Sequence, residues 1–150
     1  MKLAEFFSNY FTIRLELLEA VKELTPEQLD WKTDIHPNTI GRLLAHIAEC
    51  EYYWIDVVAR SIDGRGDFER FEKAQQKADI LALLDEGFES LSGYLQEEDI
   101  DDWDEVFYEV EGEEKISKRW LVWHVVEHQA RHRGQIFMLM RMQNLRVPNV

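Results

Sequence analysis

The chain has 150 residues, 45% of them hydrophobic, one cysteine and a formal net charge of −13, which describes a single acidic domain over residues 1–150. A core of this size holds without staples, and the lone thiol, Cys50, excludes an intrachain disulfide. The charge opposes binding to nucleic acid, no apolar run nears the roughly 20 residues of a membrane span, and MKLAEFFSNYF lacks a signal-peptide pattern, so a cytoplasmic protein with no membrane partner is expected.

Residues 3–24 contain neither Gly nor Pro, and Leu3, Phe7, Tyr10, Ile13, Leu17, Val21 and Leu24 recur in steps of three and four. That spacing predicts one amphipathic helix. Thr25-Pro26-Glu27-Gln28 supplies a capping hydroxyl, a proline at the first helical position and a reciprocal glutamine, which predicts a short turn ending near Trp31. Asp34–Asn38 reads as a loop. From Thr39 the stripe Ile40, Leu43, Leu44, Ile47, Cys50, Trp54 and Val58 predicts a second helix to about Arg60, stopped by Ser61–Gly66.

The next stripe (Ile80, Leu83, Leu84, Phe88, Leu91, Leu95) starts near residue 78, so about 17 residues join the second and third helices, enough to cross a bundle. Residues 97–105 hold seven acids in nine positions without the Gly and alternating oxygen ligands of a calcium loop, and read as a solvated connector. Val106–Val110 alternates weakly, as a short strand would. Ser117 can cap a fourth helix running to about Gln143, with Pro148 beyond its end.

On that helix, His124, His128 and His132 fall within about 80° of one another at 100° per residue. They share the sector of Leu121, Val125, Ile136 and Leu139, and Gln135 continues the polar line. Imidazoles on an apolar stripe need partners, and one ion satisfies two of them at once. A histidine pair one turn apart reaches an ion at about 2.0–2.1 Å per bond, but a firm site needs a third ligand from elsewhere. His46, on the flank of the second helix, is the candidate; His36 lies in the loop before Pro37.

Four segments, Leu24–Trp31, Asn38–Glu49, Trp123–His128 and His132–Ile136, in this order and spacing resemble the DinB/YfiT-like superfamily of metalloenzymes, named after a DNA-damage-inducible protein, over nearly the whole chain. The resemblance implies an all-α four-helix bundle, up-down-down-up, with a long crossover between helices 2 and 3, often as a homodimer. It implies Ni²⁺ or Zn²⁺ on one histidine of helix 2 and two of the helix-4 HxxxH, and a place in stress responses. It further points to relatives that are low-molecular-weight-thiol S-transferases or thiol-dependent isomerases.

Helix ends choose between the overlapping HxxxH pairs. Antiparallel packing of helix 2 (39–60) on helix 4 (117–143) sets His46 about 21 Å above the lower end, level with His128 and His132 at about 16 and 22 Å. Parallel packing would match it to His124 and His128. The crossover length and the resemblance favour antiparallel, so His46, His128 and His132 are the expected ligands, with His124 and Gln135 beside them or in the surrounding cavity.

Three neutral imidazoles leave a coordination position for a water, acidified on zinc to a pKa of roughly 7, or for a thiolate. Glu49 and Glu127 are candidate bases, although glutamates at such places also serve as surface ion-pair partners. Cys50 on an apolar stripe reads as a small buried hydrophobe, and Met138, Met140 and Met142 share no helical face and lack a CxxCH partner for haem. The expected function is a metal-dependent transferase or hydrolase of a small molecule, with a low-molecular-weight thiol as candidate cosubstrate. The alternative is a non-catalytic stress-response or structural module, its ion closed off by a fourth ligand such as Cys50 or His124. The aromatics Phe6, Phe7, Tyr10, Phe11, Tyr52, Tyr53, Trp54, Trp120 and Trp123 exceed one core stripe: most suit the core, some a pocket mouth or a dimer interface, and a homodimer is expected.

Overall fold

A computed structural model describes residues 1–63, 67–110, 112 and 115–148. The first helix is divided into α1 (Leu3–Phe6) and α2 (Ser8–Val21). Phe7 leaves the helical region (φ −97°, ψ 32°) while its N–H still reaches Leu3 O at 2.8 Å. Its ring is buried there, edge-on to Phe6 at 4.9 Å and Trp123 at 5.1 Å, so tertiary packing rather than Gly or Pro makes the break. α2 ends three residues before Leu24, where the complete capping box of α3 (Pro26–Leu29) takes over: Gln28 N–H donates to Thr25 Oγ1 at 3.2 Å and Thr25 N–H to Gln28 Oε1 at 2.8 Å.

Thr39 caps α4 (Ile40–Glu51) through Arg42 N–H at 3.1 Å. The expected α-helix to Arg60 instead continues as a π-helical segment, Tyr52–Ala59. Gly64–Gly66 of the expected stop lie outside the described residues, as does Glu111 in the later loop. Among its described residues, the connection to α6 (Lys77–Glu97) contains one short helix, α5 (Glu69–Lys73). Strands β1 (Phe107–Tyr108) and β2 (Ile116–Ser117) then pair antiparallel, and Ser117 Oγ caps α7 (Lys118–Met142) through Trp120 N–H at 3.2 Å.

Contacts fix the helix directions. α4 and α6 run the same way, since Gly41 faces Ile80, Gly87 faces Ala48, and Arg60, just past the π segment, reaches Ser90 at 3.0 Å. α7 runs against α4: Trp54 meets Trp120 and His124, while His46, two turns earlier, meets His128 and His132. α2 lies antiparallel to α6, with Leu3 N–H bonded to Glu98 O at 3.0 Å and Tyr10 beside Phe88, and parallel to α7, with Glu16 ion-paired to Arg133 at 2.6 Å.

The core divides into two apolar clusters, one around Leu17, Leu44, Leu84 and Ile136, the other around Leu3, Ile55, Leu91 and Val125. Between them every long helix offers a polar or side-chain-free position: Arg14, Glu51, Gly87 and Gln129. The Glu51 carboxylate, 1% exposed, accepts from Tyr10 Oη at 3.0 Å and from Arg14 Nη2. Gly87 leaves the space that carboxylate occupies, because a Cβ there would strike Glu51. Burial draws the Glu51 pKa up and the Arg14 charge holds it down.

The acidic run is more than a solvated connector. Lys118, fully buried at the start of α7, places its Nζ 2.6 Å from both Glu98 and Asp102, so two of the acids neutralise a cation that would otherwise be stranded. Among the described residues no helix is long and apolar enough to cross a membrane.

Candidate metal centre

Capping by Thr39 and Ser117 sets the phase of α4 and α7, and their antiparallel crossing brings His46 opposite His128 and His132. His128 Nε2 lies 3.1 Å from His46 Nε2 and 3.1 Å from His132 Nε2. One ligand nitrogen from each of the three lies within 4.8 Å of the others. Nitrogens bound at about 2.0–2.1 Å to a common ion stand about 2.8–3.4 Å apart in octahedral or tetrahedral arrangements. The two short edges of this triad match that spacing.

The partners of the outward-facing nitrogens explain why a cation fits. His46 Nδ1 lies 3.1 Å from Glu49 Oε2, and His132 Nδ1 lies 2.5 Å from Gln135 Oε1. A carboxylate and an amide oxygen only accept, so both Nδ1 atoms carry the proton and both Nε2 atoms present lone pairs. His128 Nε2 can donate to just one of them. Three rings converging with at most one proton between them form a donor set for a divalent cation, with the orienting groups that histidine ligands commonly have.

The electrostatics agree with neutral rings. Burial, then the neighbouring His132 and His46, pulls the His128 pKa down to about 3. Burial lowers His132 against the opposing hydrogen bond from Gln135, and burial lowers His124. A ring that resists protonation keeps its lone pair for a metal.

The structure places the other sequence candidates around this triad. Glu49 turns towards His46 and also takes Arg42 Nη2 at 3.3 Å. Glu127 is ion-paired with Arg131 on the outer face of α7, one turn along the same helix. His124 stays out of the nitrogen cluster; its ring stacks on Trp120 at 4.7 Å with planes 7° apart and meets the edge of Trp54 at 5.1 Å. Cys50 is buried, and burial followed by the Glu51 and Glu49 charges pushes its thiol pKa up, so it is no ready thiolate. His36 is engaged locally, with its Nδ1 accepting from Asn38 N–H at 3.1 Å.

Beside the triad lies a hollow of about 270 Å³ lined by His46, Glu49, Cys50, Tyr53, Trp54, Phe68, His124 and His128. A wider hollow of about 620 Å³ lies beyond His124, against Trp120, Trp123 and Glu127. Sequence reasoning missed Phe68 as part of the site and offered Tyr53 only as one of nine aromatics for the core, a pocket mouth or a dimer face. Tyr53 is off the α-helical apolar stripe and comes into place through the π segment, and Phe68 comes from the crossing connection, which carries no periodic signal.

The profile of the DinB superfamily matches residues 12–136. Among solved structures, the chain is similar to a DinB-like protein from Bacillus cereus ATCC 10987, with a TM-score of 0.76 and 21% identity over 97% of this chain and 95% of that one. No curated protein matches.

Proposed function

This chain belongs to the DinB superfamily, and from that premise we propose that His46, His128 and His132 hold one divalent ion and that the protein is a metal-dependent transferase or hydrolase of a small molecule. A low-molecular-weight thiol is the proposed cosubstrate. The observation that carries this reading is the convergence of three Nε2 atoms at the end of a hollow, with no fourth histidine, cysteine or carboxylate in the cluster among the described residues. A structural site would be closed by such a ligand.

All-nitrogen donors suit zinc or nickel, and either would supply Lewis acidity that draws a bound water or thiol towards its deprotonated form. Glu49 holds His46 in its tautomer and Gln135 does the same for His132. Glu49 and Glu127, each committed to a cationic partner, are held in place rather than free to shuttle protons. His124 has no hydrogen bond among those described and stays neutral through burial, so its ring offers a hydrogen bond to a molecule in the hollow. Exposed Phe6 and Trp123, packed edge to face, are the proposed centre of a homodimer contact.

The test is elemental analysis of protein purified without a histidine tag, followed by assays of thiol-reactive electrophiles with and without a low-molecular-weight thiol. Stoichiometric zinc or nickel with thiol-dependent turnover is expected. Metal without turnover on any electrophile would favour the non-catalytic metal-holding module, and absence of metal binding would overturn the reading.

A further inference from the structure

The hollow beside the triad is walled by a continuous chain of rings from three separate parts of the fold. Phe68, from the crossing connection, lies 6.0 Å from Tyr53. Tyr53 lies 4.9 Å from Trp54 at an interplanar angle of 74°, and Trp54 lies 5.1 Å from His124 at 69°. Tyr53 and Trp54 both come from the π-helical segment, a geometry that recurs at functional sites because it re-aims side chains. His124 is fixed from behind by its stack on Trp120.

Among the described residues the hollow is lined by a single charged side chain, Glu49, and that carboxylate is already engaged by His46 and Arg42. No Lys or Arg lines the hollow, so nothing there offers an unspent charge to an ionic substrate. Size then limits the occupant. A cavity of about 150 Å³ lined by apolar side chains holds benzene, so about 270 Å³ gives room for one ring with its substituent.

Resting on the metal-centre reading, we propose that this hollow is the site for the body of the substrate, and that it takes one uncharged, ring-sized apolar group attached to the atom that reaches the ion. Trp54 and Phe68 determine that specificity. The larger cosubstrate is left to the wider space beyond His124.

The experiment uses full-length protein loaded with Co²⁺ and titrated with phenylmethanethiol or propane-1-thiol, each affinity corrected for the acidity of its own thiol, read by cobalt absorption. Phenylmethanethiol should bind about 10-fold more tightly, since enclosing a ring against aromatic walls contributes on the order of one decade. Trp54→Ala and Phe68→Ala should each reduce that ratio towards unity while cobalt affinity and the helical circular dichroism stay at parental levels. Equal affinities for the two thiols, or a ratio that neither variant changes, would overturn the proposal.

A second titration, phenol into metal-free protein followed by tryptophan fluorescence, separates the two readings. If cobalt fails to bind but phenol quenches in a Trp54-dependent manner, the hollow is upheld and the metal centre falls. If cobalt binds and phenol leaves the fluorescence unchanged, the hollow falls and the metal centre stands.

Discussion

His46 Nδ1 and Glu49 Oε2 stand 3.1 Å apart, one turn along the same helix, and the same carboxylate takes Arg42 at 3.3 Å. The glutamate therefore sets which nitrogen of His46 is left for a metal, while Arg42 holds the glutamate in place. Glu49→Ala should weaken zinc or cobalt binding by about 10–100-fold, the usual loss when a ligand's orienting partner is removed. Glu49→Gln, which keeps an acceptor oxygen, should lose less. Competition titration with a chromophoric chelator reads both.

His46→Ala, His128→Ala and His132→Ala should each lower metal affinity far more than His124→Ala, because each takes away a donor in the cluster. His124 stands outside it, stacked on Trp120. Calorimetry on the metal-free variants checks the ranking. Equal damage from His124→Ala and His46→Ala, with His132→Ala silent, would show that the register of α4 on α7 is wrong.

In metal-free protein, stability should fall as the solution is acidified from about pH 6.5 towards 3. The unfolded chain takes up a proton on His128 near the ordinary histidine value, whereas the folded chain, with that pKa pulled down to about 3, does not. More protons bound by the unfolded state means lost stability, with a slope of about 1.4 kcal/mol per pH unit for one such group. Urea denaturation across this range should show the slope, and His128→Leu should flatten it.

Gly87→Ala should destabilise the fold by about 1–3 kcal/mol, the range for overpacking a filled core. The new methyl would meet the Glu51 carboxylate, which cannot yield without leaving Arg14. The shift in the urea midpoint is the measurement, and an unchanged midpoint would refute the close packing of α4 on α6.

Sedimentation equilibrium at micromolar concentration should give twice the chain mass, and Phe6→Ser with Trp123→Ser should return it to the monomer. The prediction follows from two large rings left 44% and 48% exposed against one another. A monomeric parent would remove the proposed dimer contact.

Much of this was readable in the chain because it depends on local rules. Thr25 and Ser117 announce helix starts through hydroxyls that satisfy nearby backbone N–H groups, and each does so here, as does Thr39 where the second helix was expected to begin. The level of His46 against His128 and His132 followed from a fixed rise per residue once the ends were known. What escaped depends on partners distant in sequence. The break at Phe7 comes from packing against Trp123, and the burial of Lys118 depends on acids 16 and 20 residues earlier. Nor does YYWIDVVA differ in pattern from an α-helical stripe, so nothing local marks its wider turn. The role of Glu49 was only half legible: its proximity to His46 was visible, but not that Arg42 would claim the same carboxylate.

The π-helical stretch also makes the metal ligand and the aromatic wall separable units of one rod. His46 lies upstream of it, whereas Tyr53, Trp54 and the core anchors Ile55 and Val58 lie within it. Removing one residue near its start would leave His46 opposite His128 but rotate everything downstream by about 100°. Trp54 would then leave His124 at the same moment that Ile55 left the core. A length change in this segment would therefore cost core packing as well as the cleft, whereas a substitution at Tyr53 or Trp54 can reshape the cleft and leave Ile55 in the core.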